Sequence, residues 1–210
     1  MNLYERSLNY LFNHFGKAMP DSVLLRVRYR TVFHEPLHLK NPKTFNEKIQ
    51  WLKLYDRNPE YHAMADKYAV RTYIGRVLGE KYLIPLLGVW QKAEDIDFKS
   101  LPDQFVLKCT HDSQSIVICH DKAKLDKEEA VRRLGEALKI DYSVLGREWA
   151  YHGIKPCIVA EELLTDESGD DLKDYKVFCF NGKPKFIQVD YGRFKGHKRR
   201  LYTVDWELMQ

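Results

Sequence analysis

The sequence predicts an α+β protein, and three observations carry this prediction. Apolar residues recur at helical spacing in the first third of the chain, as with Phe45, Ile49 and Leu52. Short apolar segments typical of strands follow, among them 104–109. Asn181-Gly182, flanked by two such segments, is the strongest short-range signal of a β-hairpin. With 44% hydrophobic residues in 210, the chain has enough apolar material for a core.

Composition excludes several classes of protein. The formal net charge of +4 is too small to indicate nucleic-acid binding by itself. No apolar run approaches the ~18–20 residues of a membrane span, and the first residues lack the pattern of a signal peptide. Four cysteines do not make a disulfide framework. We therefore expect a soluble cytoplasmic protein.

Two helices are predicted in the first third. Thr44 and Glu47 form a capping box at the start of one, which Asn58-Pro59 ends. A second helix is expected to begin near Asp66 and to stop at Gly79, with Lys67 and Arg71 projecting together. Its buried face is expected to consist of Val70, Ile74 and Val77.

Strand signals dominate the rest of the chain. Pro85 within the apolar run 82–90 indicates an edge strand or a break. Residues 104–109 and 116–119 are predicted strands on either side of a polar loop, and a helix capped by Asp126 follows. The remaining predictions are a strand over 158–164, a loop over 165–171, and hairpin strands over 174–180 and 185–189.

Lys108 ends an apolar strand beside the polar loop 111–115. A lysine in that place can set its ammonium group on a phosphate, and the loop's N–H groups and hydroxyls can cover further phosphates. The same residues also suit an ordinary hairpin with one solvated lysine, because neither a Walker A nor a GxGxxG glycine pattern is present.

Two further segments suit nucleotide binding. Glu161 and Glu162 end an apolar strand, where backbone groups can meet an adenine edge and a carboxylate can bind an amine or hydroxyl. Taken alone, these residues favour a strand that simply emerges into solvent. Asp174 and Lys176 share one strand face, with Arg193 beyond them. This acid and base either pair with each other or bind a ribose and a γ-phosphate.

These motifs follow one another along the chain from Lys67 to Arg193. Taken together, they resemble the TupA-like ATP-grasp family, which is linked to cell-surface polysaccharide biosynthesis. The resemblance runs from about Asn41 to Trp206, through the segments ADKYAVRTYI, LPDQFVLKCTHDSQS, CIVAEELL and DYKVFCFNGKPKFIQVD. It implies an ATP-grasp fold, in which two α+β subdomains clamp ATP. Residues 1–95 would then be a helical N-terminal region, 96–160 the small subdomain, and 161–210 part of the C-terminal subdomain.

The resemblance also implies a role for each matching residue. Lys67 and Lys108 would contact phosphates, and Lys176 and Arg193 would lie near the γ-phosphate and acyl-phosphate as the catalytic pair. The phosphate-covering loop would contain His111, Asp112, Ser113 and Ser115. Glu161, Glu162 and Leu163 would form the adenine hinge, and Asp174 would lie near the ribose. The implied reaction is ATP-dependent ligation through an acyl-phosphate, with a polysaccharide precursor or sugar acid as substrate and magnesium bridging the phosphates.

Two departures from the family pattern affect these expectations. Gln114 stands where such loops commonly have glycine, so a positive φ there would be strained. The family's magnesium ligands lie in a strand pair beyond the position of Gln210, so no metal ligand is assigned. On this ground the sequence predicts a truncated or degenerate member with little ligase activity, and an unpaired sheet edge that favours self-association.

Two other functions remain open from the sequence. Asp95 and Asp97 form a D-x-D tripeptide, as in glycosyltransferases that hold a nucleotide-sugar through a divalent metal. A non-catalytic nucleotide-binding module is the third possibility. Nucleotide choice distinguishes the first two functions, and turnover distinguishes a ligase from a binding module.

Overall fold

The computed structural model describes residues 18–113, 115–165, 172–192 and 196–209. The chain divides into two compact units, one ending at Glu162 and one beginning at Leu163. Among these described residues, no helix is long and apolar enough to cross a membrane.

The first unit combines helices with one antiparallel sheet. Its helices are α1 (Asp21–Phe33), α2 (Phe45–Tyr55), α3 (Glu60–Ala65), α4 (Ala69–Val77), α5 (Lys127–Ala137) and α6 (Tyr142–Gly146). Its strands are β1 (Leu86–Trp90), β2 (Phe105–Cys109), β3 (Ile116–Cys119) and β4 (Ile158–Glu162). The strands lie in the order β1-β4-β2-β3, so the strand after Pro85 is an edge strand, as predicted.

The start of α2 confirms the predicted capping box. Thr44 Oγ1 accepts from the N–H of Glu47 at 3.2 Å, and Glu47 Oε2 accepts from the N–H of Thr44 at 2.9 Å. Side chains of the apolar stripe on this helix are nevertheless partly open, since Phe45 is 58% and Leu52 42% exposed. The local signal thus sets where the helix begins, and packing sets what it buries.

The prediction for α4 is right about where the helix starts and wrong about what it buries. The helix spans Ala69–Val77, and Asp66 caps the turn that leads into it, because its carboxylate accepts from the N–H of Tyr68 and of Ala69 and its carbonyl from the N–H of Val70. None of the residues of α4 is buried, and Val77 is 55% exposed. This helix instead reaches the rest of the unit through a polar side chain, Arg71.

The core of the first unit lies on one face of its sheet. In β2, Phe105, Leu107 and Cys109 are fully buried and alternate with the half-buried Val106 and Lys108. Leu134 of α5 joins the same core. The helix that Asp126 was expected to cap is confirmed, because its carboxylate accepts from the N–H of Glu129 at 2.9 Å. Since α5 covers the core face, Lys108 belongs to the opposite face.

The second unit is a three-stranded antiparallel sheet in the order β5-β6-β7. Its strands are β5 (Asp174–Phe180), β6 (Lys183–Tyr191) and β7 (Lys198–Thr203). Asn181 (φ 50°) and Gly182 (φ 73°) both have positive φ, which confirms the predicted hairpin turn. The sequence did not predict β7, because Lys198-Arg-Arg200 has the composition of a solvated loop.

Candidate functional site

Glu161 is the centre of an ion-pair cluster in the first unit. Its carboxylate, 7% exposed, lies 2.5 Å from Lys108 Nζ and 3.3 Å from Arg71 Nη1. Val106, not Lys108, is the cross-strand partner of Glu161, so the Lys108 side chain reaches diagonally to it. Arg71 also donates to the Ile84 carbonyl at 2.7 Å. Two cations are thus held close together at the end of β4.

Lys67 binds to the turn that follows β2. Its Nζ donates to the carbonyl oxygens of Cys109, at 2.9 Å, and of Asp112, and lies 3.8 Å from Asp112 Oδ1. Burial lowers the pKa of Lys67, an effect that the Asp112 charge partly opposes. Lys67 and Arg71, predicted to project together, therefore contact different parts of the unit: the β2–β3 turn and β4.

The predicted phosphate loop is divided between buried and exposed residues. His111 and Asp112 are buried; His111 Nε2 is 3.1 Å from the Ile140 carbonyl, and Asp112 Oδ1 accepts from Ser115 Oγ at 2.7 Å. Ser113 is exposed and hydrogen-bonds the hydroxyl of Tyr142. Gln114 lies outside the described residues. His111 and Asp112 thus anchor the loop, and Ser113 is its accessible hydroxyl.

The predicted adenine hinge begins where β4 leaves the sheet. Glu162 is exposed, and its N–H donates to the Pro85 carbonyl at 3.2 Å. The strand ends here, two residues before the predicted end, because pairing with β2 stops at Phe105–Glu162. Leu163 is half-buried and is the first residue of the second unit.

In the second unit, the acid and base predicted on one strand face pair with each other. Lys176 Nζ binds Asp174 Oδ2, and it also lies 2.9 Å from Asp190 Oδ2. Asp174 is directly opposite Asp190 across the two strands, so Lys176 neutralises two facing carboxylates. Asp174 and then Asp190 raise the pKa of Lys176. Arg193, the other predicted catalytic residue, lies outside the described residues.

Asp190 is a polar centre that the sequence analysis missed. The 8% exposed carboxylate accepts from Arg199 Nε at 2.7 Å and from Gln188 Nε2 at 2.9 Å, and His197 Nε2 lies 3.2 Å away. Arg199 and then Lys176 hold the pKa of Asp190 well below its usual range. The signal for this residue was the alternation of Gln188 and Asp190 with apolar residues in β6.

One carboxylate of the D-x-D tripeptide is engaged in a local turn. Asp97 Oδ1 accepts from the N–H of Lys99 at 3.0 Å, as in an ordinary turn. Among the described ranges, no three His, Cys, Asp or Glu side chains are grouped so that they can hold a metal ion. The structure therefore offers no support for a glycosyltransferase centred on Asp95 and Asp97.

The paired cations at this site outnumber their carboxylate partners. Lys67, Arg71 and Lys108 are three cations against the two carboxylates of Asp112 and Glu161, so the group keeps a formal charge of +1. Antiparallel sheets combined with helices, a lysine at a strand end and a hydroxyl-bearing loop are the features that the resemblance to the ATP-grasp class predicts.

A comparison with protein families supports this class independently. The model of the family described as TupA-like ATPgrasp matches residues 47–210. The chain belongs to this family, and the predicted ATP-grasp fold is thereby confirmed. The curated proteins and the solved structures contain no match.

Proposed function

We propose that the first unit binds ATP through Lys108, and that the protein is an ATP-dependent ligase of cell-surface polysaccharide biosynthesis. The alternative is a degenerate member with little ligase activity, and the turnover assay below distinguishes the two. The cluster of Lys108 and Arg71 around Glu161, inside the segment that matches the ATP-grasp family, is the observation that carries the proposal. Membership of the ATP-grasp family supports nucleotide binding in general. We propose in addition that the reaction is ligation and that the acceptor is a polysaccharide precursor or a sugar acid.

Lys108 can exchange its partner when a phosphate arrives. In the structure its ammonium pairs with Glu161, which also has Arg71 as a partner. If Lys108 turns to a phosphate oxygen, Glu161 keeps one cation and is not left as an unpaired buried charge, which would be costly. The exchange replaces one charge-assisted contact by another.

The loop contributes a different set of groups. Lys67 holds the backbone carbonyls of Cys109 and Asp112, and so fixes the start of the loop. We assign Lys67 to positioning this loop, and Ser113 to hydrogen bonding with the phosphates. This differs from the direct phosphate contact that the family resemblance implies for Lys67.

We propose that Lys176 takes part in the transfer of the γ-phosphoryl group. The family resemblance implies that Lys176 lies near the γ-phosphate, where a cation would neutralise charge during transfer. In the second unit, Lys176 pairs with Asp174 and Asp190. A bound magnesium ion would neutralise further phosphate charge, and its protein ligands would be carboxylates. Asp112 and Glu161 already have cationic partners, so we assign neither of them to the metal.

Calorimetric titration of the purified chain with ATP tests the binding site. Lys108→Ala should weaken binding by about 1–3 kcal/mol, the value of a charge-assisted hydrogen bond. Lys124→Ala is the matched control, because Lys124 is 84% exposed and its carboxylate partner among the described residues is the nearby Asp121. Thermal unfolding of both variants separates loss of binding from loss of structure.

Two outcomes contradict the proposal. Equal ATP affinity of wild type and Lys108→Ala would remove Lys108 from the site. Tight ATP binding with no ADP release, in the presence of magnesium and a panel of sugar acids and amines, would instead indicate a nucleotide-binding module without ligase activity.

A further inference from the structure

A pocket lies in the helical part of the first unit, between α1 and the start of α2. Its volume is about 650 Å³, within the range of roughly 300–1,000 Å³ that small-molecule sites occupy. Apart from Glu47, its lining residues precede the segment that matches the ATP-grasp family. It shares no residue with the proposed nucleotide site.

One buried carboxylate gives the pocket its shape. Glu47, 5% exposed, accepts from the N–H of Lys43 at 2.8 Å, of Thr44 at 2.9 Å and of His38 at 3.3 Å, and from His38 Nδ1 at 2.9 Å. These four contacts saturate both oxygens, so Glu47 holds the wall and has no acceptor left for a ligand. The N–H groups of Thr44 and Lys43 hold the pKa of Glu47 at about 2, so the carboxylate stays ionised.

The segment between α1 and α2 is fixed from its other side as well. Leu37 and Leu39 are 5% and 4% exposed and belong to the small core that also contains Leu25 and Tyr29. The segment has no regular secondary structure, but its buried leucines alternate with residues whose N–H groups donate to the Glu47 carboxylate. The pocket is therefore a preformed feature of the fold, as binding sites on supported loops commonly are.

Cations outnumber the available anions in the lining. Arg26, Lys40 and Lys43 all line the pocket, and within the described part of the chain neither lysine has a carboxylate partner. Among the residues that the structure describes, the contact given for the Arg26 side chain is a long one, 3.5 Å, with the Leu37 carbonyl. Besides the saturated Glu47, the described lining includes one other carboxylate, Glu35.

We propose that this pocket binds a small anion with a phosphate or carboxylate group. The choice of a sugar phosphate or a sugar acid as that anion rests on the proposed function. Lys40, Lys43 and Arg26 would hold the phosphate or carboxylate group, since Lys and Arg donate only and bind such oxygens strongly. The amide of Asn41, exposed at the pocket, offers one donor group and one acceptor for ligand hydroxyls. The N–H groups of Thr44 and Glu47 at the start of α2 are not available to a ligand, because the capping box already uses them.

Titration of the full chain with three probes tests the proposal: glucose 1-phosphate, glucuronate and glucose. The charged sugars should bind at least about tenfold more tightly than glucose, the effect of one charge-assisted contact. Comparison of the two charged probes shows whether the site prefers phosphate or carboxylate. Lys40→Ala/Lys43→Ala should lose about tenfold or more in affinity for the charged probes.

Lys48→Ala is the matched control, because Lys48 is exposed on α2, next to Glu47 in the sequence, but does not line the pocket. It should bind the charged probes as the wild type does, and ATP affinity should be equal in all three proteins. Equal binding of glucose and the charged sugars, or unchanged affinity in the double variant, would overturn the inference. No binding of any probe at about 10 mM, weaker than any useful affinity, would also overturn it.

Discussion

Glu161→Gln is the most informative single change, because it removes the charge that holds Lys108 and Arg71 together. At an effective dielectric constant of about 20, the contacts of 2.5 Å and 3.3 Å each correspond to roughly 5–7 kcal/mol of attraction. Desolvation of the three groups offsets much of this, and breaking a buried pair costs about 3–5 kcal/mol in practice. The amide keeps one hydrogen bond, so we expect the free energy of unfolding to fall by about 3 kcal/mol.

ATP should restore part of that loss. With Glu161 neutral, the two cations have no competing carboxylate, and the phosphates supply the missing negative charge. The stability that ATP adds in urea unfolding should therefore be larger in Glu161→Gln than in wild type by about 1 kcal/mol, a roughly fivefold lower Kd.

The neighbouring Glu162→Gln provides the control, because Glu162 is exposed and has no ion pair among the described residues. Its unfolding free energy should change by less than about 0.5 kcal/mol. Equal losses in the two variants would refute the role of Glu161 in holding the cations. A smaller ATP effect in Glu161→Gln than in wild type would show that the carboxylate itself binds the nucleotide.

Two further predictions concern stability. Hydrogen bonds hold the pKa of Glu47 at about 2 in the folded protein, so between pH ~5 and ~2 the unfolded state binds more protons and stability falls as the pH drops. Glu47→Gln should flatten the acid limb of urea unfolding measured across this range, and an unchanged limb would contradict it. Leu134→Ala, at a fully buried position, should lower the unfolding free energy by about 2–5 kcal/mol; a loss below about 1 kcal/mol would show that the core tolerates the cavity.

Local chemistry made several elements predictable. The capping box at Thr44, the cap at Asp126 and the turn at Asn181-Gly182 each act within four residues, so tertiary context had little to change. The alternation of β2 likewise determined which side Lys108 shares with Val106. The motifs that carry the family resemblance are also short local segments, so they could be recognised one after another along the chain.

Contacts between residues distant in sequence could not be predicted in this way. Arg71 and Glu161 are 90 residues apart, and only the packing of α4 beside the sheet makes them partners. Lys67 and the carbonyl oxygens of Cys109 and Asp112 are likewise more than 40 residues apart in the sequence, and only the folded chain brings them together.

The sequence by itself determined the α+β class, the family and the residue types available for a phosphate-binding site. The tertiary structure alone decided which charges meet: Glu161 with Lys108 and Arg71, Asp190 with Lys176 and Arg199, and Glu47 with the loop before α2. The physical reason is that a helix cap or a turn is decided by its immediate neighbours. A buried charge, in contrast, is stable only where the folded chain brings its partners to it.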